Sequence, residues 1–287
     1  MSIKNMLKYL IVLLLMFVIL PTNHAVFAAS TQTKYVDIQS GSLTVRSGPG
    51  TSYKKIGSLK KHAKVTVYNK TKNGWSEIRY HKKKAYVYNK YLVNINLKNT
   101  RVSYTLKDSK KTKYKVYLIA SKEQRAKASF NASGWNTVWA GADPGDLLYN
   151  GDYKLYVRKN GSNQITYTGY QRKDYIYNKT RHMVYALPAK YKGQPDLFAI
   201  GETMSSNYEE AQLFYINNEG KVKKVQTLSY TYRPKITGKN TYQTVGYNNA
   251  IGKWHVWNYR LDVANGKFKT TSTKKINAVK SWRKDWK

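Results

Sequence analysis

Cysteine is absent from this chain of 287 residues. That absence excludes disulfide staples, thiol nucleophiles and the lipid-bearing cysteine of a lipoprotein, so the fold must hold by core packing alone. Acids are scarce: 15 Asp+Glu stand against 51 Lys+Arg. Histidine is scarce too, and beyond the leading segment only His62, His81, His182 and His255 remain. No HxH or HExxH spacing occurs among them, so the sequence carries no zinc-hydrolase pattern, and neither a metal nor a cofactor is expected. No glycine-rich phosphate loop is present, and no serine sits in a nucleophile elbow. Long apolar runs are missing except for one, Leu10 to Leu20. Eleven residues fall short of the ~20 needed to span a bilayer. Lys4 and Lys8 precede this run, Pro21 ends it, and Val26-Phe27-Ala28 follows with small residues at the −3 and −1 positions. Residues 1–28 therefore read as a secretory signal peptide, with cleavage after Ala28 or Ala29.

What is abundant is tyrosine, at 27 residues, and positive charge, at a formal +36. Tyr, Thr and Val suit half-buried strands, so the composition points to an all-β fold. Removing the leader takes away two lysines and leaves +34 (36 − 2). Residues 29–95 hold 14 basic residues and 2 acids; the remainder holds 35 and 13. The charge is thus spread over the chain, and charge on this scale draws a protein to polyanions. Outside a Gram-positive cell the dense polyanions are teichoic acids and wall carboxylates.

From residue 34 to 93 the chain alternates short apolar–polar runs with turns. Leu43-Thr44-Val45-Arg46 leads into Ser47-Gly48-Pro49-Gly50-Thr51-Ser52-Tyr53, and Ile56-Gly57 follows. Lys64 to Tyr68 alternates again. Asn73-Gly74 is a tight-turn signal before Trp75. Ala85-Tyr86-Val87 and Tyr91-Leu92 close the unit. Five or six short strands in so few residues mean a small barrel, because closure removes exposed edges. Val45, Ile56, Val65, Val67, Ile78 and Val87 are the expected core; Trp75 is read as a core anchor or a surface platform.

These motifs, in this order and spacing, resemble the bacterial SH3-like (SH3b) domain. The resemblance covers about one fifth of the chain and implies a barrel that targets a secreted protein to peptidoglycan. Two positions depart from the family's pattern: His62 and Ala85 stand where the family often has glycine. Candidate ligand residues are Tyr53, Tyr80, Tyr86, Tyr88 and Tyr91, whose faces can stack on glycan or peptide. Arg46 and Arg79 join them, since a planar guanidinium pairs with a stem-peptide carboxylate.

Residues 94–112 read as a lysine-rich linker with a lead-in strand around Val102-Tyr104. Residues 113–287 read as a larger antiparallel β-domain, a sandwich or repeat-like. Three hairpins turn at Asn160-Gly161, Asn217 to Gly220 and Asn265-Gly266. Their glycines lie 59 and 46 residues apart, a blade-like spacing. Only three such units fit, and propellers typically need four or more. Ser121 to Ala128 reads as a short helix. Asp143 and Asp146 raise a calcium loop, with too few oxygen ligands for one.

Two functions compete. One is a non-catalytic wall-binding protein that docks on peptidoglycan and gains affinity for teichoic acids by charge. The other is a wall hydrolase using a carboxylate pair drawn from Glu202, Glu209 and Glu210, with Asp196 upstream. Interleaved aromatic and basic residues would also suit nucleic acid, but the leader and the SH3-like motifs point away from it.

Overall fold

The computed structural model describes residues 31–277. The signal segment expected at 1–28 lies outside these residues, as does the last stretch of the expected C-terminal domain. Twenty strands and no α-helix make up the described residues.

The first eight strands form the small barrel: β1 (Gln32–Val36), β2 (Ser42–Arg46), β3 (Lys55–Lys60), β4 (Lys64–Val67), β5 (Asn69–Lys70), β6 (Trp75–Tyr80), β7 (Lys83–Tyr88) and β8 (Leu92–Val93). A three-stranded sheet, β4-β1-β8, faces a five-stranded one, β3-β2-β7-β6-β5. Alternation puts Val45, Val65, Val67, Ile78 and Val87 inside, as expected, with Val36, Leu43 and Leu92. Ile56 departs from expectation and is exposed. Gly57 and Leu59 stand opposite the inward Val45 and Leu43, so alternation points Ile56 out; it lies at the register shift between Val45 and Arg46. His62 adopts φ 65 at the turn into β4, the left-handed conformation that glycine takes without strain. Ala85, by contrast, is an ordinary buried strand residue.

Residues 94–112 are built into the body of the protein and do not hang free. β9 (Thr100–Lys107) pairs along β10 (Lys113–Lys127), because Val102, Tyr104 and Leu106 alternate onto one apolar face. With β11 (Leu147–Lys159) and β12 (Thr166–Asn178) these strands make a four-stranded meander. A second meander comprises β13 (Val184–Leu187), β14 (Leu197–Ser205), β15 (Tyr208–Ile216) and β16 (Val222–Tyr230). The third holds β17 (Tyr232–Gly238), β18 (Thr241–Asn248), β19 (Lys253–Asp262) and β20 (Lys267–Ile276). All three hairpins read from Asn and Gly are present, joining β11 to β12, β15 to β16 and β19 to β20. The C-terminal region is three sequential four-stranded antiparallel sheets.

The sheets stack through shared apolar faces. Leu118, Tyr153 and Leu155 of the first meet Phe198, Ile200 and Phe214 of the second. On the other face of the second sheet, Leu197, Ala199 and Leu213 meet Tyr242, Tyr259 and Leu261 of the third. The barrel abuts the first meander through Val93, Leu97, Tyr117 and Ile165. Asn94 and the Ile165 backbone exchange two hydrogen bonds of 2.9 and 2.8 Å across this junction. Arg158 pairs with Asp37 beside them.

The helix expected at Ser121 to Ala128 is strand instead. β10 runs through it with a bulge between Ser121 and Gln124, and Lys122 has φ 53. Local helix propensity yields here to cross-strand bonding. Glu123 receives hydrogen bonds from Arg101 Nε (2.8 Å) and the buried Tyr153 hydroxyl (2.7 Å). A second Arg101 nitrogen pairs with its other oxygen, and the guanidinium lies 3.6 Å from the Tyr149 ring centroid.

Stability measurements on four variants check this account. Ile78→Ala is expected to cost about 2–5 kcal/mol in denaturant melts, whereas Ile56→Ala stays within about 0.5 kcal/mol of the parent. His62→Gly should stabilise the protein by roughly 0.5–1 kcal/mol, the left-handed strain it relieves less the entropy glycine loses. Glu123→Ala should destabilise by about 1–3 kcal/mol by orphaning the Tyr153 hydroxyl.

Candidate functional site

A groove of about 880 Å³ opens on the barrel. Its aromatic wall begins with the Asn73-Gly74 turn, which starts β6 at Trp75. Antiparallel register then sets Trp75 opposite Tyr88 at the end of β7. A single 3-10 turn, Asn89–Tyr91, swings Tyr91 alongside. Ring centroids lie 5.5 Å apart for Trp75–Tyr88 and 6.0 Å for Tyr88–Tyr91, in tilted and edge-on arrangements. Tyr88 and Tyr91 are exposed, while Trp75 is buried yet still lines the groove, so it serves as core anchor and platform together.

The facing wall is polar. Gln39, Ser40, Ser42, Thr44 and Thr51 line it, and Arg46 stands at the end of β2. The loop between β2 and β3 is tied at both ends. Arg46 donates to the Tyr53 carbonyl (2.8 Å), and Asn73 donates from Nδ2 to the Pro49 carbonyl (2.7 Å). Gly48 permits this closure: a Cβ there would fall 2.1 Å from the Tyr53 ring. Among the described residues Arg46 has no carboxylate partner, and it is only partly buried. The arrangement offers stacking surface, hydroxyls and one guanidinium, and no Asp, Glu or His is among the residues lining it.

The expected ligand residues divide. Arg46, Tyr88 and Tyr91 line the groove, and Tyr53 braces its loop. Arg79, Tyr80 and Tyr86 do not line it. Arg79 pairs with Glu77 at 2.7 Å and lies over the Tyr68 ring at 4.4 Å. These contacts, with Lys84, hold the Glu77 carboxyl below its ordinary range. Tyr80 packs on the barrel core and edge-on to His81. Tyr86 sits between Arg46 and Glu77 in register. Sequence reasoning missed the polar wall, since single Ser and Thr residues on strands carry no motif. Asn73 was the exception in plain sight, half of the turn signal itself.

The acids are engaged elsewhere. Glu202 and Glu210 are cross-strand partners on β14 and β15, and Thr203 opposes Glu209. Glu202 is paired with Arg172, Glu209 accepts from Arg233 (3.3 Å), and Glu210 accepts from Ser229 (2.8 Å). Asp196 receives the Lys107 and Ala189 backbone N–H groups at 2.7 and 2.8 Å, a joint between the first two meanders. Asp143 and Asp146 are bridged by Arg181, at 2.8 and 3.4 Å. Among the described residues, no three or more His, Asp or Glu side chains are grouped to hold a metal. No helix among them is long and apolar enough to cross a membrane.

No curated protein matches the chain's sequence at a significant level. The family model for the bacterial SH3 domain matches residues 41–93, the strands and turns that carry the aromatic wall, Arg46 and the braced loop, and this segment is a bacterial SH3 domain.

Proposed function

We propose that this chain is an exported, non-catalytic wall-binding protein whose barrel docks on peptidoglycan. The observation that carries the reading is the groove of Trp75, Tyr88 and Tyr91 opposite Arg46, within a domain of a family suited to wall binding. Aromatic faces stack on the apolar faces of sugars or on peptide planes. The free part of the Arg46 fork pairs with a stem-peptide carboxylate. The surplus of positive charge adds a long-range attraction to teichoic acids, which the groove itself does not need. Glu202 and Glu209 are each engaged by an arginine, and Glu210 by Ser229, which speaks for structural roles over a carboxylate pair aimed at a glycan.

Protein lacking residues 1–28 is expected to sediment with isolated sacculi stripped of teichoic acid. Tyr88→Ala combined with Tyr91→Ala should weaken that binding roughly tenfold, with thermal stability little changed because both rings are exposed. Binding to intact walls should fall between 0.15 M and 1 M salt as the screening length shrinks from about 8 to 3 Å, leaving the groove-dependent part. Equal binding by the double variant would remove the groove from the account.

Whole-cell zymography is expected to show no clearing. Clearing that disappears in Glu202→Gln would restore the hydrolase reading.

A further inference from the structure

The seam between the second and third meanders holds a pocket of about 460 Å³, away from the barrel. The turn joining β14 to β15 brings Asn207 and Tyr208 to it; β18 and β19 bring Gly246, Asn249, His255 and Trp257. No Lys, Arg, Asp or Glu lines it, in a chain where 23% of residues are charged. Its lining offers a polyanion no direct ion pair.

Its floor exists because a side chain is missing. Gly246 opposes His255 in the β18–β19 ladder, and a Cβ on it would fall 2.8 Å from the Tyr208 hydroxyl and 2.9 Å from the Trp257 ring. The two aromatic side chains close over that gap. His255 lies 5.6 Å from Trp257, ring centroid to centroid. Its Nε2 is buried and has no hydrogen-bond partner among the described residues. A buried imidazole nitrogen without a partner carries a cost that a ligand hydroxyl or amide would remove. At the rim, Asn207 donates from Nδ2 to Asn249 Oδ1 (3.2 Å) and to the Tyr247 carbonyl (3.3 Å). The exposed Asn249 amide nitrogen keeps both its donors for solvent or ligand.

Aromatic faces beside primary amides and an unpaired imidazole form the donor and stacking set that an uncharged sugar ring requires. We infer that this seam is a second binding site, for an uncharged pyranose unit, plain or N-acetylated. It does not rest on the barrel's role: the two sites share no residue, and the first meander lies between them.

The test is a histidine-resolved NMR titration of the protein lacking residues 1–28. The probes are uncharged tetramers of N-acetylglucosamine and of glucose. Affinity on the order of 1 mM is expected for a ligand of this size. The His255 ring signals should shift with at least one tetramer while those of His62, His81 and His182 stay put. The shift should persist at 1 M salt, because a neutral ligand is not screened away. Gly246→Ala, which fills the floor, should abolish the shift. Asn249→Ala, an exposed rim change that leaves the strands intact, should weaken it severalfold and guards against misfolding of the first variant. Both variants should sediment with stripped sacculi through the barrel. No His255 shift with either tetramer, or an undiminished shift in both variants, would overturn the inference while leaving the barrel's role untouched.

Discussion

Along residues 197–200 of β14 and 213–216 of β15 the second meander is buried on both faces, and the rest of the C-terminal architecture follows from that. Along β14, Phe198 and Ile200 point one way and Leu197 and Ala199 the other, all buried. β15 repeats the arrangement with Phe214 and Ile216 against Leu213 and Tyr215. A sheet apolar on both sides must be covered twice. The first and third meanders supply the two covers, and each is in turn free to be more polar on its far side. Polar cross-ties then set the register of the stack. Tyr104 donates to the Val184 carbonyl (2.9 Å), and Gln194 donates to the Tyr242 hydroxyl (2.9 Å). Burial drives the hydroxyl of Tyr242 up to about 12, so it stays a neutral partner at any ordinary pH.

Much of this was legible before any coordinates. The turn signals at Asn73-Gly74, Asn160-Gly161 and Asn265-Gly266 each mark a hairpin that forms, because positive φ at the glycine is a local requirement that tertiary context rarely overrides. The barrel core was legible for the same kind of reason: strict alternation leaves one choice of inward face. Ile56 escaped because β3 turns Gly57 and Leu59 inward, opposite Val45 and Leu43, and an inward glycine beside an outward isoleucine is not announced by Lys55-Ile56-Gly57. The stretch Ser121 to Ala128 misled because its residues favour helix in isolation. Its strand state depends on Arg101 and Tyr153, which lie 22 and 30 residues away.

The groove was half legible. Aromatic residues beside a tight turn are visible as candidates, and Tyr88 and Tyr91 belong to it. Arg79, Tyr80 and Tyr86 looked equivalent in the sequence, yet pleating turns Tyr80 to the core, while Arg79 and Tyr86 share the face of Trp75 and Tyr88 farther along their strands and take other partners. The seam between the second and third meanders was not legible at all. It joins Tyr208 to Trp257 across two hairpins, and its floor is a glycine whose φ is unremarkable, so only the space around it gives the position meaning.

The join between the barrel and the first meander has a mechanical corollary. Val93, Leu97, Tyr117 and Ile165 share one apolar cluster, and Asn94 and Asp37 are pinned to the neighbouring sheet. There is no slack tether at this point. A pull applied to the barrel would therefore load the first meander through this shared apolar cluster and its polar ties rather than through a length of loose chain.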